Sequence, residues 1–142
     1  MMVTGNRAMG LKCTILVADR NRHVREFLRR ELEGEGYRVK MARDGREVWE
    51  ALSGGDPPHL LILDLEIPYM EELGDKIRKH HPVPHVPLIV HSFQEESAAE
   101  TWLTHAAAFL EKKEDPAHLK EVVAEVLDRH YRHRLQPPPP TP

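Results

Sequence analysis

The run Leu60-Leu61-Ile62-Leu63, ending in Asp64, constrains this chain more than any other segment. Four apolar residues in a row leave no polar face. The segment therefore reads as a strand buried on both sides, as in parallel sheets covered by helices. Pro68 lacks the N–H that a ladder needs and turns the chain off the sheet. Asp64 is thereby delivered to the carboxyl end of an interior strand, where open α/β sheets carry their chemistry. A loop aspartate capping the next helix accounts for the same residue. A second strand favours the site over the cap: Thr14-Ile15-Leu16-Val17-Ala18 runs into Asp19 in the same way. Two acids at two strand ends suggest one acidic pocket.

The rest of the chain alternates between the two periodicities. Val24, Phe27, Leu28 and Leu32 form a helical stripe that Gly34 and Gly36 stop. Tyr37, Val39 and Met41 alternate with charged residues, as in a strand polar on one face. Asp44 followed by Glu47 resembles a capping box and opens a helix carrying Val48, Trp49, Ala51 and Leu52. A short helix over Glu71 to His80 has Leu73 and Ile77 as its anchors. Pro87 introduces the strand Leu88-Ile89-Val90, which ends near Ser92. Glu95 to His105 reads as a fourth helix, Ala107 to Leu110 as a weaker fifth strand. The last helix opens at Pro116 and buries Leu119, Val122, Val123, Val126 and Leu127. Five β-α units in one domain predict a doubly wound α/β fold with a five-stranded parallel sheet, in the flavodoxin-like order 2-1-3-4-5. That order makes strands one and three neighbours and brings Asp19 and Asp64 together. Residues 1–10 are expected to be mobile, 11–132 to form the domain, and 133–142 to form a proline-rich tail.

Composition narrows the function classes. In 142 residues the formal net charge is −3, so no basic excess marks a nucleic-acid surface. No apolar stretch approaches a membrane span and no signal-peptide pattern opens the chain, which points to the cytoplasm. Cys13 stands alone beside the first strand and reads as a structural thiol in a reducing compartment. Of the ten histidines, His80, His81 and His85 lack helical ligand spacing, His130 and His133 stand three apart at a helix end where the dipole favours cationic side chains, and no cysteine or carboxylate completes a site.

Four features in order resemble the receiver domain of two-component response regulators, from about Lys12 to Tyr131. The segment ILVADRNRHVREFL holds the place of the acid-rich turn after strand one, with Asp19 as its first acid. Asp64 and Pro68 match the phosphate-accepting aspartate and the proline four residues on. Ser92 in LIVHSF matches the switch hydroxyl, and Phe109 and Lys112 in FLEK match the aromatic and the basic contact of strand five. The resemblance implies an acyl phosphate formed on Asp64 by attack on a phosphohistidine of a sensor histidine kinase or phosphotransfer protein. It implies Mg²⁺ held by Asp19, Asp64 and the backbone carbonyl of Glu66. Lys112 and Ser92 would contact the phosphoryl group, and Phe109 would change rotamer as the fourth loop closes.

The departures from the family pattern fall on that chemistry. The family follows its first acid with a second, a metal ligand; here the position is Arg20. A guanidinium cannot ligate Mg²⁺ and repels it, so weak metal binding is expected, with Arg20 paired to Asp64 or turned into solvent. Glu72 replaces a glycine, Lys113 replaces a proline, and Phe93 replaces a small residue that leaves the pocket open.

Three functions follow in turn. The first is a stand-alone, phosphorylatable receiver without an output domain. It would signal to a downstream protein, or by homodimerisation, through the face of the fourth helix, fifth strand and fifth helix with Trp102, Phe109 and Lys113. The second is a pseudo-receiver interaction module in which Arg20 impairs Mg²⁺-dependent phosphorylation. The third, an aspartyl-phosphate hydrolase, expects a second acid two residues on, after its first strand. Glu66 has that spacing but follows the third strand, so the chain reads as a non-enzyme.

Overall fold

The computed structural model describes residues 13–80, 82, 85–93 and 105–135. In chain order the elements are β1 (Thr14–Ala18), α1 (Arg22–Gly34), β2 (Arg38–Ala42), α2 (Gly45–Ser53), β3 (Leu60–Leu63), α3 (Met70–His80), β4 (Leu88–Ser92), β5 (Ala108–Glu111) and α4 (Ala117–Leu135). The strands make one parallel sheet in the order β2-β1-β3-β4-β5, as the alternation of periods predicts. Every residue of β3 is buried, consistent with its position at the centre of the sheet. β2 lies at the edge instead, which leaves Met41 exposed although the alternation pattern points it inward.

The period of two divides the apolar residues of the sheet between two cores. On one face Ile15, Val17, Leu60, Ile62 and Ile89 pack with Leu28 and Leu32 of α1 and with Leu119, Val123 and Leu127 of α4. On the other, Leu16, Leu61, Leu63, Leu88 and Val90 pack with Val48 and Leu52 of α2 and Leu73 and Ile77 of α3. Cys13 belongs to the first core, and burial pushes its thiol pKa up, consistent with a structural thiol.

Local chemistry fixes the element ends. Asn21 caps α1 by accepting from the N–H groups of His23 and Val24. At its other end Gly36, at φ 99°, donates to the Glu33 carbonyl while the Tyr37 N–H donates to that of Leu32. This is a Schellman pairing, and Tyr37 and Leu32 share the first core. The Asp44 side chain accepts from the Glu47 N–H at 2.9 Å, while Glu47 reaches back to the Arg43 N–H at 2.7 Å, one residue before the cap. Gly45 is required by a close approach: a Cβ there would lie 2.4 Å from the Tyr69 carbonyl oxygen, and the Gly45 N–H donates to that of Pro68. Tyr69 itself adopts φ 62°, the left-handed region that non-glycine residues seldom occupy.

α4 runs on to Leu135, past the boundary at 132 read from the sequence. The prolines that begin at Pro137 disfavour further helix. The predicted mobile segment 1–10, the helix predicted from Glu95 with Trp102, and the tail from Gln136 lie outside the described residues. No helix among the described residues is long and apolar enough to cross a membrane.

Candidate functional site

Strand register assembles the site before any side chain is considered. Ala18 pairs with Leu63, so Asp19 and Asp64 leave the sheet side by side. Each is anchored by its own N–H, Asp64 to the Ala18 carbonyl at 2.8 Å and Asp19 to that of Ala42 at 3.2 Å. On the far side Ser92 pairs with Glu111, and the Lys112 N–H donates to the Ser92 carbonyl at 2.6 Å. The ends of β1, β3, β4 and β5 thus share one edge, and the predicted residues Asp19, Asp64, Ser92 and Lys112 meet there.

The two carboxylates are 1% and 2% exposed, and buried charge must be paired. The Lys112 Nζ lies 2.7 Å from Asp19 Oδ2 and 3.5 Å from Asp64 Oδ2. Backbone amides take the remaining positions. Asp19 Oδ1 accepts from the Asn21 N–H at 2.8 Å, Asp64 Oδ1 from the Glu66 N–H at 3.0 Å, and Asp64 Oδ2 from the Arg20 N–H at 3.2 Å. The Arg25 guanidinium donates to the Asp19 carbonyl at 2.7 Å and ties α1 to the same corner.

Arg20 takes neither of the positions expected for it alone. Its Nε is 3.8 Å from Asp64 Oδ2, but its Nη1 is 2.7 Å from Glu66 Oε1 and its side chain is 46% exposed. The guanidinium therefore stands at the pocket mouth, between the acid below and a second acid at the rim. The sequence singled out Glu66 for its carbonyl, whereas its side chain holds Arg20. A Mg²⁺ ion needs hard oxygen donors with room for water. Here all the carboxylate oxygens of Asp19 and Asp64 already face protein donors, two cations flank them, and the second acid is missing. The residues present do not fit that ion, and no group of three His, Cys, Asp or Glu among the described residues is arranged to hold a metal.

Around this centre Phe93 is exposed and its ring lies 4.9 Å from the Lys112 Nζ. It covers the lysine, as its bulk suggests. A cavity of about 400 Å³ opens beside it, lined by Val24, Phe27, His91, Phe93, Lys112 and Lys113 among others. Phe109 is 51% exposed on β5. His91 went unremarked in the sequence because it ends a run otherwise read as apolar. It is buried, its Nδ1 finds no partner among the described residues, and desolvation, then the Lys112 charge, push its pKa down to about 4.

The chain is similar to response regulators in sequence and in fold. The family model described as "Response regulator receiver domain" matches residues 15–124. Response regulator MprA of Mycolicibacterium vanbaalenii is 44% identical over 59 residues, 42% of this chain and 25% of that protein. Response regulator RR06 of Streptococcus pneumoniae is 41% identical over 76 residues, 52% of this chain and 35% of that one. The chain thus spans a quarter to about a third of these curated relatives. Among solved structures, response regulator TrrA of Thermotoga maritima, in complex with Mg²⁺-BeF, superposes with TM-score 0.69 at 29% identity, covering 82% of this chain and 99% of that one. A receiver domain protein of Methanospirillum hungatei reaches TM-score 0.75 at 24% identity, over 87% and 99% of the two chains, and shows the shared fold. With a family model covering most of its length and the family's fold around a paired-acid edge, this chain belongs to the receiver domains of response regulators.

Proposed function

We propose that Asp64 is the phosphoacceptor of this receiver. It takes a phosphoryl group from a phosphohistidine of a sensor histidine kinase or phosphotransfer protein. The observation that carries this reading is the buried Asp64 carboxylate, with Lys112 3.5 Å from its Oδ2 and Asp19 holding that lysine at 2.7 Å. Each Asp64 oxygen accepts one backbone N–H, Oδ1 from Glu66 and Oδ2 from Arg20, and Oδ2 is taken as the attacking oxygen because it is the one that faces Lys112. The P–N bond to the donor imidazole breaks as the Oδ2–P bond forms, and the electron pair departs with the imidazole. Lys112 stabilises the charge that gathers on the phosphoryl oxygens. Ser92 donates a hydrogen bond to one of them, and because its carbonyl is bonded to the Lys112 N–H, the ends of β4 and β5 respond together. Phe109 changes rotamer with that closure, and the altered surface around β5 and α4, with Lys113, carries the signal to a protein partner or a second copy. The setting is cytoplasmic, and Mg²⁺ binds weakly because of Arg20.

Incubation with acetyl phosphate, hydroxylamine trapping and peptide mass analysis test the assignment. The label is expected on Asp64 and absent from Asp64→Asn. Label on another residue, or equal label in the variant, rules it out.

The pocket mouth favours a second reading, an interaction module that is not phosphorylated. Arg20 stands where the family has an acid and the remaining donors do not fit Mg²⁺. Absence of label under every condition supports that reading.

A further inference from the structure

We propose that Arg20 takes the place of the divalent cation, so that phosphoryl transfer to Asp64 needs no metal. The inference rests on Asp64 being the phosphoacceptor. It starts from charge. Two neighbouring acids, an acceptor aspartate and one lysine sum to −2, which a divalent cation neutralises. In this chain the charges of Asp19, Asp64, Lys112 and Arg20 sum to zero within one cluster of ion pairs. Glu66, about as exposed as Arg20 and paired with it at the rim, brings the sum to −1, still one charge short of the −2 that a divalent cation neutralises.

Position supports the same conclusion. The Arg20 N–H donates to Asp64 Oδ2 at 3.2 Å, which fixes the backbone from which the side chain departs. Its Nε stands 3.8 Å from that oxygen, too far for a hydrogen bond to the carboxylate itself. A phosphoryl group on Oδ2 would extend its own oxygens beyond the carboxylate and into the reach of that guanidinium. Glu66 occupies Nη1 at 2.7 Å and acts as a positioning residue: without it a half-exposed arginine would sample many rotamers. Of the five N–H donors of a guanidinium, the others remain to face the pocket mouth. The planar fork suits two phosphoryl oxygens, and arginine stabilises the loose transition state of phosphoryl transfer in other enzymes.

With acetyl phosphate the step balances without a metal. Asp64 Oδ2 forms the bond to phosphorus, the bond from phosphorus to the acetyl oxygen breaks, and acetate leaves with the electron pair. No proton is consumed. Arg20 and Lys112 carry the charge that the phosphoryl oxygens accumulate.

The full chain is incubated with acetyl phosphate in excess EDTA and, separately, in millimolar Mg²⁺. Label on Asp64 is followed by hydroxylamine trapping and mass analysis. The rates in the two conditions are expected to agree within about twofold. Arg20→Gln should lower both by about tenfold or more, with Arg20→Lys recovering part of the loss. Arg20→Asp should move the protein to Mg²⁺-dependent labelling. Label in the native chain only with Mg²⁺ overturns the inference and leaves Asp64 as the acceptor. A native chain unlabelled in both conditions, beside an Arg20→Asp form labelled with Mg²⁺, also overturns it, since Arg20 then blocks the site. No label in any form removes the phosphoacceptor reading itself.

Discussion

Lys112 is held more closely by Asp19, at 2.7 Å, than by Asp64, at 3.5 Å, and all three side chains are almost fully buried. The lysine is thus anchored on one acid and shared with the other, which keeps its ammonium beside Asp64 without occupying that carboxylate fully. Replacing Lys112 with Met leaves two buried carboxylates with backbone donors and one half-exposed arginine. Such a loss is expected to destabilise the fold by about 3–5 kcal/mol. Urea unfolding measures it, and a loss below about 1 kcal/mol would show that backbone amides alone satisfy the pair.

Arg20→Asp should tighten Mg²⁺ binding. One unit of charge about 5 Å from the ion is worth roughly 3 kcal/mol at an effective dielectric of about 20, on the order of a hundredfold before screening. Titration calorimetry on both proteins decides the matter, and equal affinities would show that the pocket tolerates arginine.

His91→Leu should stabilise the protein by about 1–2 kcal/mol at pH 7, because it removes an unpartnered buried nitrogen. The effect grows in acid. The folded pKa of about 4 lies below the ordinary 6.5, so the unfolded chain takes up the proton first. Stability contributed by neutral His91 is complete above pH 6.5 and is lost as pH falls towards 4. The gap between variant and native chain should therefore widen by roughly 2 kcal/mol from pH 7 to pH 5. Urea midpoints at the two values test this; a gap that does not change with pH contradicts the burial argument.

Gly45→Ala should cost about 1–3 kcal/mol, since the added methyl meets the Tyr69 carbonyl oxygen at 2.4 Å, backbone that has little freedom to withdraw. Thermal unfolding reports the loss. Tyr69→Gly in the same background should restore part of it by relaxing the φ of 62°, although it forfeits the contact of the tyrosine ring with Arg46 at 4.0 Å.

Features written in local periodicity were legible. Solid apolar runs identify β1 and β3, their last residues place Asp19 and Asp64 at one edge, and Asp44 announces the start of α2. Features that depend on two loops meeting were not. The pairing of Arg20 with Glu66 joins the turn after β1 to the turn after β3, and no spacing within either turn encodes it. Tyr69 occupies a left-handed conformation that its residue type does not advertise, and its carbonyl approaches Gly45 across the fold, a contact between distant turns. Met41 followed the alternation but lost its cover to an edge position that only the strand order reveals. His91 shows the opposite failure: a polar residue beside an apolar run looks like the end of a strand, yet the fold encloses it.

Phe109 gives the sheet edge a latent bias of its own. About half of its side chain meets water, which for an aromatic of this size is roughly 100 Å² of apolar surface. Withdrawing that surface inward would favour the closed arrangement by about 2.5 kcal/mol, some sixtyfold in population, before any strain is counted. In the proposed switch, a hydrogen bond from Ser92 to a phosphoryl group would then have to supply only the remainder. On the proposed function the exposed ring would act as a preloaded spring, so trimming it to alanine should blunt the conformational response even where labelling of Asp64 is unchanged.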